Sequence, residues 1–272
     1  PLKGLGVKAS SKRGHLPVTV RGPMKGGETT VDGSVSSQFL TGLLMSLPLA
    51  KSDTTIYVSR LNSIPYINMT MDVLREFGIE VTHSEYKEFY VEGNQSYKPR
   101  TFNIEGDWSG ASCLLVAGAI AGEVTISNLN CLSMQADVAI IDALARAGAE
   151  IVTTSDSVTV KKRDLNAFRF DATHCPDLFP AWVALAANCD GDSVITGAER
   201  LEHKESNRAQ TLEEEFAKLG IDIHTEGDEM TVTGGRIRTA EGDRPNDHPI
   251  AMATAVAAPV ADGRGPAPTA RP

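Results

Sequence analysis

A sequence pattern that recurs at an interval of about 70 residues constrains this 272-residue chain more than its composition does. Four polar stretches each lead into an apolar, helix-forming run, and their landmark residues are Ser37, Gly110, Asp177 and Asp247. The glycines that follow three amphipathic runs, Gly78, Gly148 and Gly220, have nearly the same spacing. Two independent sets of landmarks give one period, and a fixed period indicates stacked copies of one unit.

Each copy reads as strand, helix, strand, helix and a two-stranded hairpin, so the predicted fold class is α/β with repeated βαβαββ units. In the first copy the pattern predicts helices at Ser36–Leu47 and Pro65–Phe77, and hairpin strands at Ile79–His83 and Phe89–Val91. The first helix is apolar nearly all round, so we expect it to be buried. The second is amphipathic, so we expect it to cover a sheet.

The later copies repeat this order. A strand at Thr101–Ile104 begins the second copy, whose predicted helices are Ala111–Ile120 and Met134–Ala147. The third copy has predicted helices at Leu178–Asn188 and Ser206–Leu219, and a fourth opens at Asn246. Pro1–Arg13 shows no clear period, whereas His15–Arg21 alternates as a strand does. Because the first helices are buried, we expect their polar starts to converge on one cleft.

Charge and cysteine content exclude several classes of protein. The net charge of −9 disfavours nucleic-acid binding by the whole chain, and no apolar run is long enough to cross a bilayer. The four cysteines show no CxxC pair and no histidine at zinc-finger spacing. We therefore expect reduced thiols, a cytoplasmic location, and neither a metal nor a cofactor.

The first polar stretch has the composition of an anion site. Ser36, Ser37 and Gln38 stand where the first backbone N–H groups of a helix lack partners. Free donors and the helix dipole both favour a negative charge there. The alternative is a serine that caps a buried helix and does nothing more.

Six segments together resemble a known family. They are VDGSVSSQFLTGLLMSLPLA at Val31–Ala50, NSIPYINMTMDVLREFG at Asn62–Gly78, EGDWSGAS at Glu105–Ser112, HCPDLFP at His174–Pro180, KESNRA at Lys204–Ala209 and NDH at Asn246–His248. From about His15 to Ala258 the chain resembles the enolpyruvyl transferases, and within them the 5-enolpyruvylshikimate-3-phosphate (EPSP) synthases.

The resemblance implies a fold and an activity. The fold is an inside-out α/β barrel of βαβαββ units in two domains, here incomplete: residues 1–104 would be the rest of the shikimate-3-phosphate-binding domain, 105–260 the second domain and 261–272 a disordered tail. The implied reaction transfers the enolpyruvyl group of phosphoenolpyruvate to the 5-hydroxyl of shikimate 3-phosphate and releases phosphate, in the shikimate pathway to aromatic amino acids. The family resemblance implies a monomer with these two small-molecule partners.

The resemblance also implies a set of site residues. Those for shikimate 3-phosphate are Ser36, Ser37, Gln38, Ser63, Tyr66, Asp177 and Lys204, and those for phosphoenolpyruvate are Gln38, Arg208 and His248. Asp177, Lys204 and Glu205 are the implied catalytic residues. Asp177 would take the proton of the 5-hydroxyl, and Glu205 would handle the proton at the methylene carbon. Hydroxyl and amide groups suit a phosphate, and guanidinium suits a bidentate anion.

Local alternatives accompany these assignments. Ser206 could cap a helix whose charged first turn is solvated, and Asp177 could be a helix cap. His174 and His203 have no motif partner and are expected on the surface. Trp108 is expected to pack at the domain boundary.

The chain also departs from the family. The chain has no counterpart of four features of the family: an N-terminal Lys-Ser, a glycine-rich segment, an arginine and a C-terminal lysine segment. In addition, Pro249 follows His248 where the family has arginine. We therefore expect a fragment truncated at both ends, weak or inactive alone. Two alternatives stay open: UDP-N-acetylglucosamine 1-carboxyvinyltransferase, and a non-catalytic fragment that binds shikimate 3-phosphate.

Overall fold

The computed structural model describes residues 1–203, 206–238 and 247–257. It divides into two compact units, Pro1–Asn103 (unit 1) and a unit that begins at Ile104 (unit 2). Unit 1 contains β1 (Lys8–Lys12), β2 (His15–Arg21), β3 (Gly27–Asp32), α1 (Gln38–Ser46), β4 (Thr54–Ser59), α2 (Ile64–Glu76), β5 (Val81–Ser84) and β6 (Glu88–Val91).

Unit 2 contains α3 (Trp108–Ala121), β7 (Glu123–Ser127), α4 (Ile140–Ala147), β8 (Glu150–Thr153), β9 (Ser157–Lys161), β10 (Arg169–Asp171), α5 (Phe179–Ala187), β11 (Asp192–Thr196), α6 (Arg208–Lys218), β12 (Asp222–Glu226), β13 (Glu229–Thr233) and α7 (His248–Ala257). No helix in the described ranges is both long and apolar enough to cross a membrane.

The sheets confirm the repeated βαβαββ order in the first and third copies. One four-stranded sheet runs β3-β4-β6-β5 and another runs β10-β11-β13-β12, each with a parallel first pair and an antiparallel remainder. The middle copy forms a three-stranded sheet, β7-β9-β8. The α/β fold class is therefore confirmed, with mixed sheets.

The predicted strand at Thr101–Ile104 is wrong, because that segment lies outside every described strand. Ile104 is largely exposed. Its residue types suit a strand, but a strand needs a paired neighbour, and β-propensity by itself does not supply one. At the start of the chain the structure has a strand that the sequence did not predict. Pro1–Arg13 shows no clear period, yet β1 pairs with β2 as an antiparallel hairpin.

One backbone hydrogen bond recurs in the loops that lead to the first helices. It joins Gly33 N to Ser59 O (2.8 Å), Gly106 N to Asn128 O (2.7 Å) and Ala172 N to Thr196 O (2.8 Å). In each copy it ties the loop before the first helix to the end of the next strand. The three helix starts therefore have the same backbone support.

The first helices differ in how much of their surface is buried. In unit 2, α3, α5 and α7 pack against one another, and all nine residues of α5 are buried. In unit 1, α1 buries only Leu40, Leu43 and Leu44, and Phe39 and Met45 are more than half exposed. The expectation of burial all round is thus wrong for α1, because unit 1 has no second helix of this class to cover its other face.

The second helices agree with the prediction. Each is amphipathic, and α2, for example, buries Ile67, Met71 and Leu74. The glycines that follow them have φ of 79°, 92° and 81° at Gly78, Gly148 and Gly220, the left-handed region that glycine enters without a Cβ clash. Met134–Ala147 is helical over only part of its predicted length, since a 3₁₀ turn at Ala136–Ala139 precedes α4.

Candidate functional site

Two helix starts lie side by side in unit 1. β3 and β4 are parallel neighbours, so α1 and α2 both begin near the same edge of the sheet. The two loops are tied by Asn62, whose N donates to Gly33 O (3.2 Å) and whose Nδ2 donates to Ser34 O (3.3 Å). The sheet therefore places the Ser36–Gln38 start next to the loop that carries Ser63.

The two N-cap side chains at these starts make no capping bond. Ser37 is the N-cap residue of α1 and Ser63 that of α2, and neither side chain bonds to a backbone N–H of its own helix. Both serines are buried, Ser36 is half-buried and Gln38 is exposed. Ser36 Oγ accepts from Gln38 N (3.2 Å). Tyr66 is half-buried in the first turn of α2. Ser37 is therefore the N-cap residue by position but makes no capping bond with its side chain, and the serine that bonds to the first N–H of α1 is Ser36.

Asp177 occupies a different kind of start in unit 2. It lies in a 3₁₀ turn, Pro176–Leu178, and the N-cap residue of α5 is Leu178. The interpretation of Asp177 as a helix cap is therefore wrong. Its Oδ1 instead accepts from Nη1 of Arg208 (3.1 Å), and its side chain is 42% exposed.

Arg208 is the first residue of α6, yet its side chain is only 2% exposed. The cap of α6 is Asn207, whose Oδ1 accepts from Gln210 N (3.3 Å). Ser206 therefore does not cap the helix; its Oγ donates to Asp247 Oδ2 (2.9 Å). The expected solvated first turn is wrong for Arg208, because its buried charge is balanced by the buried carboxylate of Asp247 and the half-exposed carboxylate of Asp177.

Asp247 is the residue that the sequence assignment missed. Its side chain is 1% exposed, and its Oδ2 accepts from Nε of Arg208 (3.1 Å). The other oxygen, Oδ1, is buried without a hydrogen-bond partner. The repeat contained the signal, because Asp247 stands one full period after Asp177, at the next helix start. Arg208 joins these two starts.

A second arginine lies near Asp177. Nη1 of Arg200 donates to Thr173 O (2.6 Å), and burial lowers the pKa of Arg200 while the charge of Asp177 opposes that shift. Asp177 thus interacts electrostatically with two guanidinium groups. Sequence reasoning gave Arg200 no role.

The first backbone N–H groups of α3 are bonded to the side chain of its own N-cap residue. Asp107 is the N-cap, and its carboxylate accepts from Ser109 N (3.0 Å) and Gly110 N (3.1 Å). Trp108 is fully buried in the core of unit 2 and donates from Nε1 to Asn130 O (3.1 Å). Packing within unit 2 accounts for Trp108.

Comparison with known proteins identifies the family. The family model for EPSP synthase (3-phosphoshikimate 1-carboxyvinyltransferase) matches residues 1–269. The chain belongs to the EPSP synthase family. Similar relatives named 3-phosphoshikimate 1-carboxyvinyltransferase come from Clostridium novyi, 38% identical over 93% of this chain and 58% of the relative, and from Methanothrix thermoacetophila, 40% identical over 96% and 62%.

Solved structures agree on the fold. EPSP synthase from Acinetobacter baumannii is 22% identical with a TM-score of 0.73, over 96% of this chain and 63% of that one. The enolpyruvyl transferase NikO from Streptomyces tendae is 18% identical with a TM-score of 0.71, over 94% and 62%. The chain thus spans about three fifths of the proteins it matches.

The remaining residues discussed in the sequence analysis are exposed, half-buried or outside the described residues. His248 is exposed at the first position of α7, followed by the half-buried Pro249. His174 is exposed, as expected. Lys204 and Glu205 lie outside the described residues, as does the side chain of His203. For Lys204 and Glu205 the assignment stays a prediction.

The thiols of this family member are structural. All four cysteines are free, and Cys113, Cys175 and Cys189 are buried. Burial raises the pKa of Cys175 to about 12, and the nearby carboxylates of Asp137, Asp171 and Asp177 act in the same direction. Within the described ranges, no three His, Cys, Asp or Glu residues are grouped to hold a metal ion.

Proposed function

We propose that this chain is part of an enzyme that transfers the enolpyruvyl group from phosphoenolpyruvate to the 5-hydroxyl of shikimate 3-phosphate. The observation that carries the proposal is the half-exposed carboxylate of Asp177, 3.1 Å from the buried guanidinium of Arg208. A base for a sugar-like hydroxyl and a cation for an anionic donor are the two groups that this transfer needs. The printed names of relatives at 37–40% identity support the same activity.

Unit 1 supplies the proposed phosphate site. The starts of α1 and α2 lie side by side, and neither is capped by the side chain of its N-cap serine. Backbone donors at such starts, together with the hydroxyls of Ser36, Ser37 and Ser63, suit a phosphate group. Gln38 and Tyr66 complete the proposed set for shikimate 3-phosphate.

The remaining roles follow the resemblance. Asp177 accepts the proton of the 5-hydroxyl, Lys204 and Glu205 complete the catalytic set, and Arg208 and His248 contact phosphoenolpyruvate. Pro249 lacks the guanidinium that the family places there, so we expect weak turnover from this chain alone. A cytoplasmic location and a monomeric state, both implied by the resemblance, belong to the same proposal.

Two measurements test this function. Calorimetric titration of the 272-residue chain with shikimate 3-phosphate should show binding, whereas UDP-N-acetylglucosamine should not bind. A coupled phosphate-release assay with both substrates should show turnover far below that of the Clostridium novyi enzyme. Preferential binding of the UDP sugar would contradict the assignment, and robust turnover would contradict the expected weakness.

Tyr66→Phe tests the proposed site, and Tyr57→Phe is its matched control. Tyr66 lies in the first turn of α2, whereas Tyr57 lies on β4 and is exposed. Loss of the Tyr66 hydroxyl should weaken shikimate 3-phosphate binding about tenfold, in line with one lost hydrogen bond to a charged ligand. Loss of the Tyr57 hydroxyl should leave binding unchanged.

A further inference from the structure

The first two strands of unit 1 form a hairpin (Lys8–Arg21, the basic hairpin) that is exposed along most of its length. β1 and β2 make a two-stranded sheet of their own, and the turn between them has φ of 54° at Arg13 and 84° at Gly14. All seven residues of β2 are exposed. A two-stranded hairpin with uncovered faces is only marginally stable in water. A partner that covered one face would therefore stabilise it.

The charge of this segment is opposite to that of the whole chain. Residues 1–27 contain six lysine and arginine residues and no aspartate or glutamate, although the chain has a net charge of −9. All six are exposed, and none forms an ion pair within the part of the chain that the structure describes. They are Lys3, Lys8, Lys12, Arg13, Arg21 and Lys25. The cations elsewhere in unit 1 that do pair with carboxylates are Arg60, Arg75, Lys87 and Arg100.

The two faces of the basic hairpin differ in chemistry. Lys8 lies directly opposite Arg21, and like charges that face each other across two strands are destabilising. Val18 and Val20 lie on the other face and are 48% and 57% exposed, and Leu16 beside the turn is 85% exposed. An external anion would relieve the repulsion, and an apolar environment would remove the three apolar side chains from water.

We propose that the basic hairpin docks on an anionic lipid surface, with its cations on the headgroups and Leu16, Val18 and Val20 at the boundary of the acyl chains. Cations beside apolar side chains are the combination that binds such an interface. Each lysine or arginine near an anionic leaflet strengthens binding about fivefold. Charges more than about 8 Å apart are largely screened at physiological salt, so the local charge of the hairpin outweighs the net charge of the chain. This docking is peripheral and does not depend on the proposed transfer reaction.

Two other partners suit the basic hairpin less well. Single-stranded nucleic acid is held by stacking on aromatic side chains, and residues 1–27 contain no phenylalanine, tyrosine or tryptophan. Addition of a peptide strand needs backbone donors at the sheet edge, and Pro17 in β2 has no N–H. Phosphate groups alone would also leave Leu16 in water. The lipid surface is the partner that uses both the charged and the apolar side chains.

The test is co-sedimentation of the 272-residue chain with vesicles of phosphatidylcholine, with and without roughly one third of phosphatidylserine. The chain should bind the vesicles that contain phosphatidylserine, and high salt should release it because the attraction is electrostatic. It should bind much more weakly to phosphatidylcholine alone. Equal binding to the two kinds of vesicle, or binding to neither, would overturn the proposal.

A double variant tests the charges at the turn. Lys12→Ser combined with Arg13→Asn removes two charges, so it should weaken binding about 25-fold. The turn itself should persist, because Asn-Gly is the preferred sequence for positive φ at both turn residues. The matched control is Lys51→Ser combined with Lys162→Ser, which removes two exposed charges outside the hairpin and should leave binding nearly unchanged. Equal weakening by the two double variants would show that total charge drives binding, which contradicts the proposal.

Leu16→Ser tests the apolar contact. It should weaken vesicle binding about tenfold, because the leucine side chain no longer leaves water on docking. Leu132→Ser is the matched control, since Leu132 is 90% exposed in unit 2, and it should bind as the unchanged chain does. All of these variants replace exposed side chains, so the temperature of thermal unfolding should stay the same. If Leu16→Ser kept full affinity and a single-stranded RNA oligonucleotide displaced the vesicles, the hairpin would be a nucleic-acid site and the lipid proposal would be overturned.

Discussion

The helix starts of the two units are built on the same backbone plan but carry opposite electrostatics. In unit 1 the N-cap residues are serines that make no capping bond with their side chains. In unit 2, Asp107 caps its own helix, and Asp177 and Asp247 bind Arg208. A repeated polar start is thus not by itself an anion site. What matters is which groups already occupy that start: in α3 the carboxylate of Asp107 has taken the backbone donors.

The strongest test of this contrast removes the cation of unit 2. Arg208→Ala should lower the free energy of unfolding of unit 2 by about 3–5 kcal/mol, since it leaves the carboxylate of Asp247 buried and unpaired. Both tryptophans, Trp108 and Trp182, are buried in unit 2, and all five tyrosines lie in unit 1. Urea unfolding followed by tryptophan fluorescence therefore reports the change, and tyrosine fluorescence should show little effect.

The control for that measurement is Arg163→Ala. Arg163 pairs with Glu150 at the surface of the same unit. An exposed pair contributes about 1 kcal/mol or less, so this variant should unfold almost as the unchanged chain does. Equal losses in the two variants would show that burial of Arg208 is not what makes its pairing important.

The second test gives the start of α1 in unit 1 the kind of N-cap residue that α3 has in unit 2. Ser37→Asp places a carboxylate at the N-cap of α1, the position that Asp107 has in α3. The new carboxylate should bond to the first N–H groups and repel phosphate, which should weaken shikimate 3-phosphate binding by roughly tenfold or more. The temperature of thermal unfolding should be unchanged or slightly raised, because the new cap would stabilise α1. Unaltered affinity, measured by calorimetry, would place the phosphate elsewhere.

The third test compares the two N-cap residues directly. Asp107→Ala removes a carboxylate that accepts two backbone N–H groups, so unit 2 should lose about 1 kcal/mol of stability. Ser37→Ala removes a side chain with no capping bond, so unit 1 should lose less than about 0.5 kcal/mol. Urea unfolding with tryptophan and tyrosine fluorescence measures both. A larger loss for Ser37→Ala would reverse the comparison.

The smallest expected effect is at Cys175, directly before the Asp177 turn. A helix start usually lowers the pKa of a thiol. Here burial, aided by carboxylates, raises the pKa of Cys175 to about 12, and burial raises that of Cys113 to about 11. Both thiols should stay protonated at pH 8, so a thiol reagent should label the half-buried Cys131 first and the others only after unfolding.

Rapid labelling of Cys175 in the folded chain would contradict this arrangement. Cys131→Ser is the matched variant, because it should remove the fast phase and nothing else.

The repeat predicted most of the fold because its signals are local. Amphipathic spacing and a following glycine define the second helices, and both are visible in single segments such as Pro65–Gly78. The exposed side of α1 could not be predicted in this way, since its burial depends on which other helices pack beside it. The segment Thr101–Ile104 failed for the same reason, because its sequence does not specify a pairing partner.

The sequence predicted which residues belong to the candidate site better than it predicted the contacts between their side chains. Asp177 and Arg208 were expected from the motif resemblance, and the structure brings their side chains together. The motif gave no sign that Arg208 is buried or that Asp247 balances it, since both facts depend on packing between α6 and the start of α7. The repeat period, which places Asp247 at the helix start after that of Asp177, was the one indication for Asp247.

The recurrent backbone bond between the loop before each first helix and the end of the next strand has a consequence for how the copies can differ. It joins Gly33 to Ser59, Gly106 to Asn128 and Ala172 to Thr196 through main-chain atoms alone. Mutations at the adjacent helix starts can therefore exchange serine for aspartate without loss of that support. Copies of one unit can therefore differ in the chemistry of their helix starts while they share the same main-chain support.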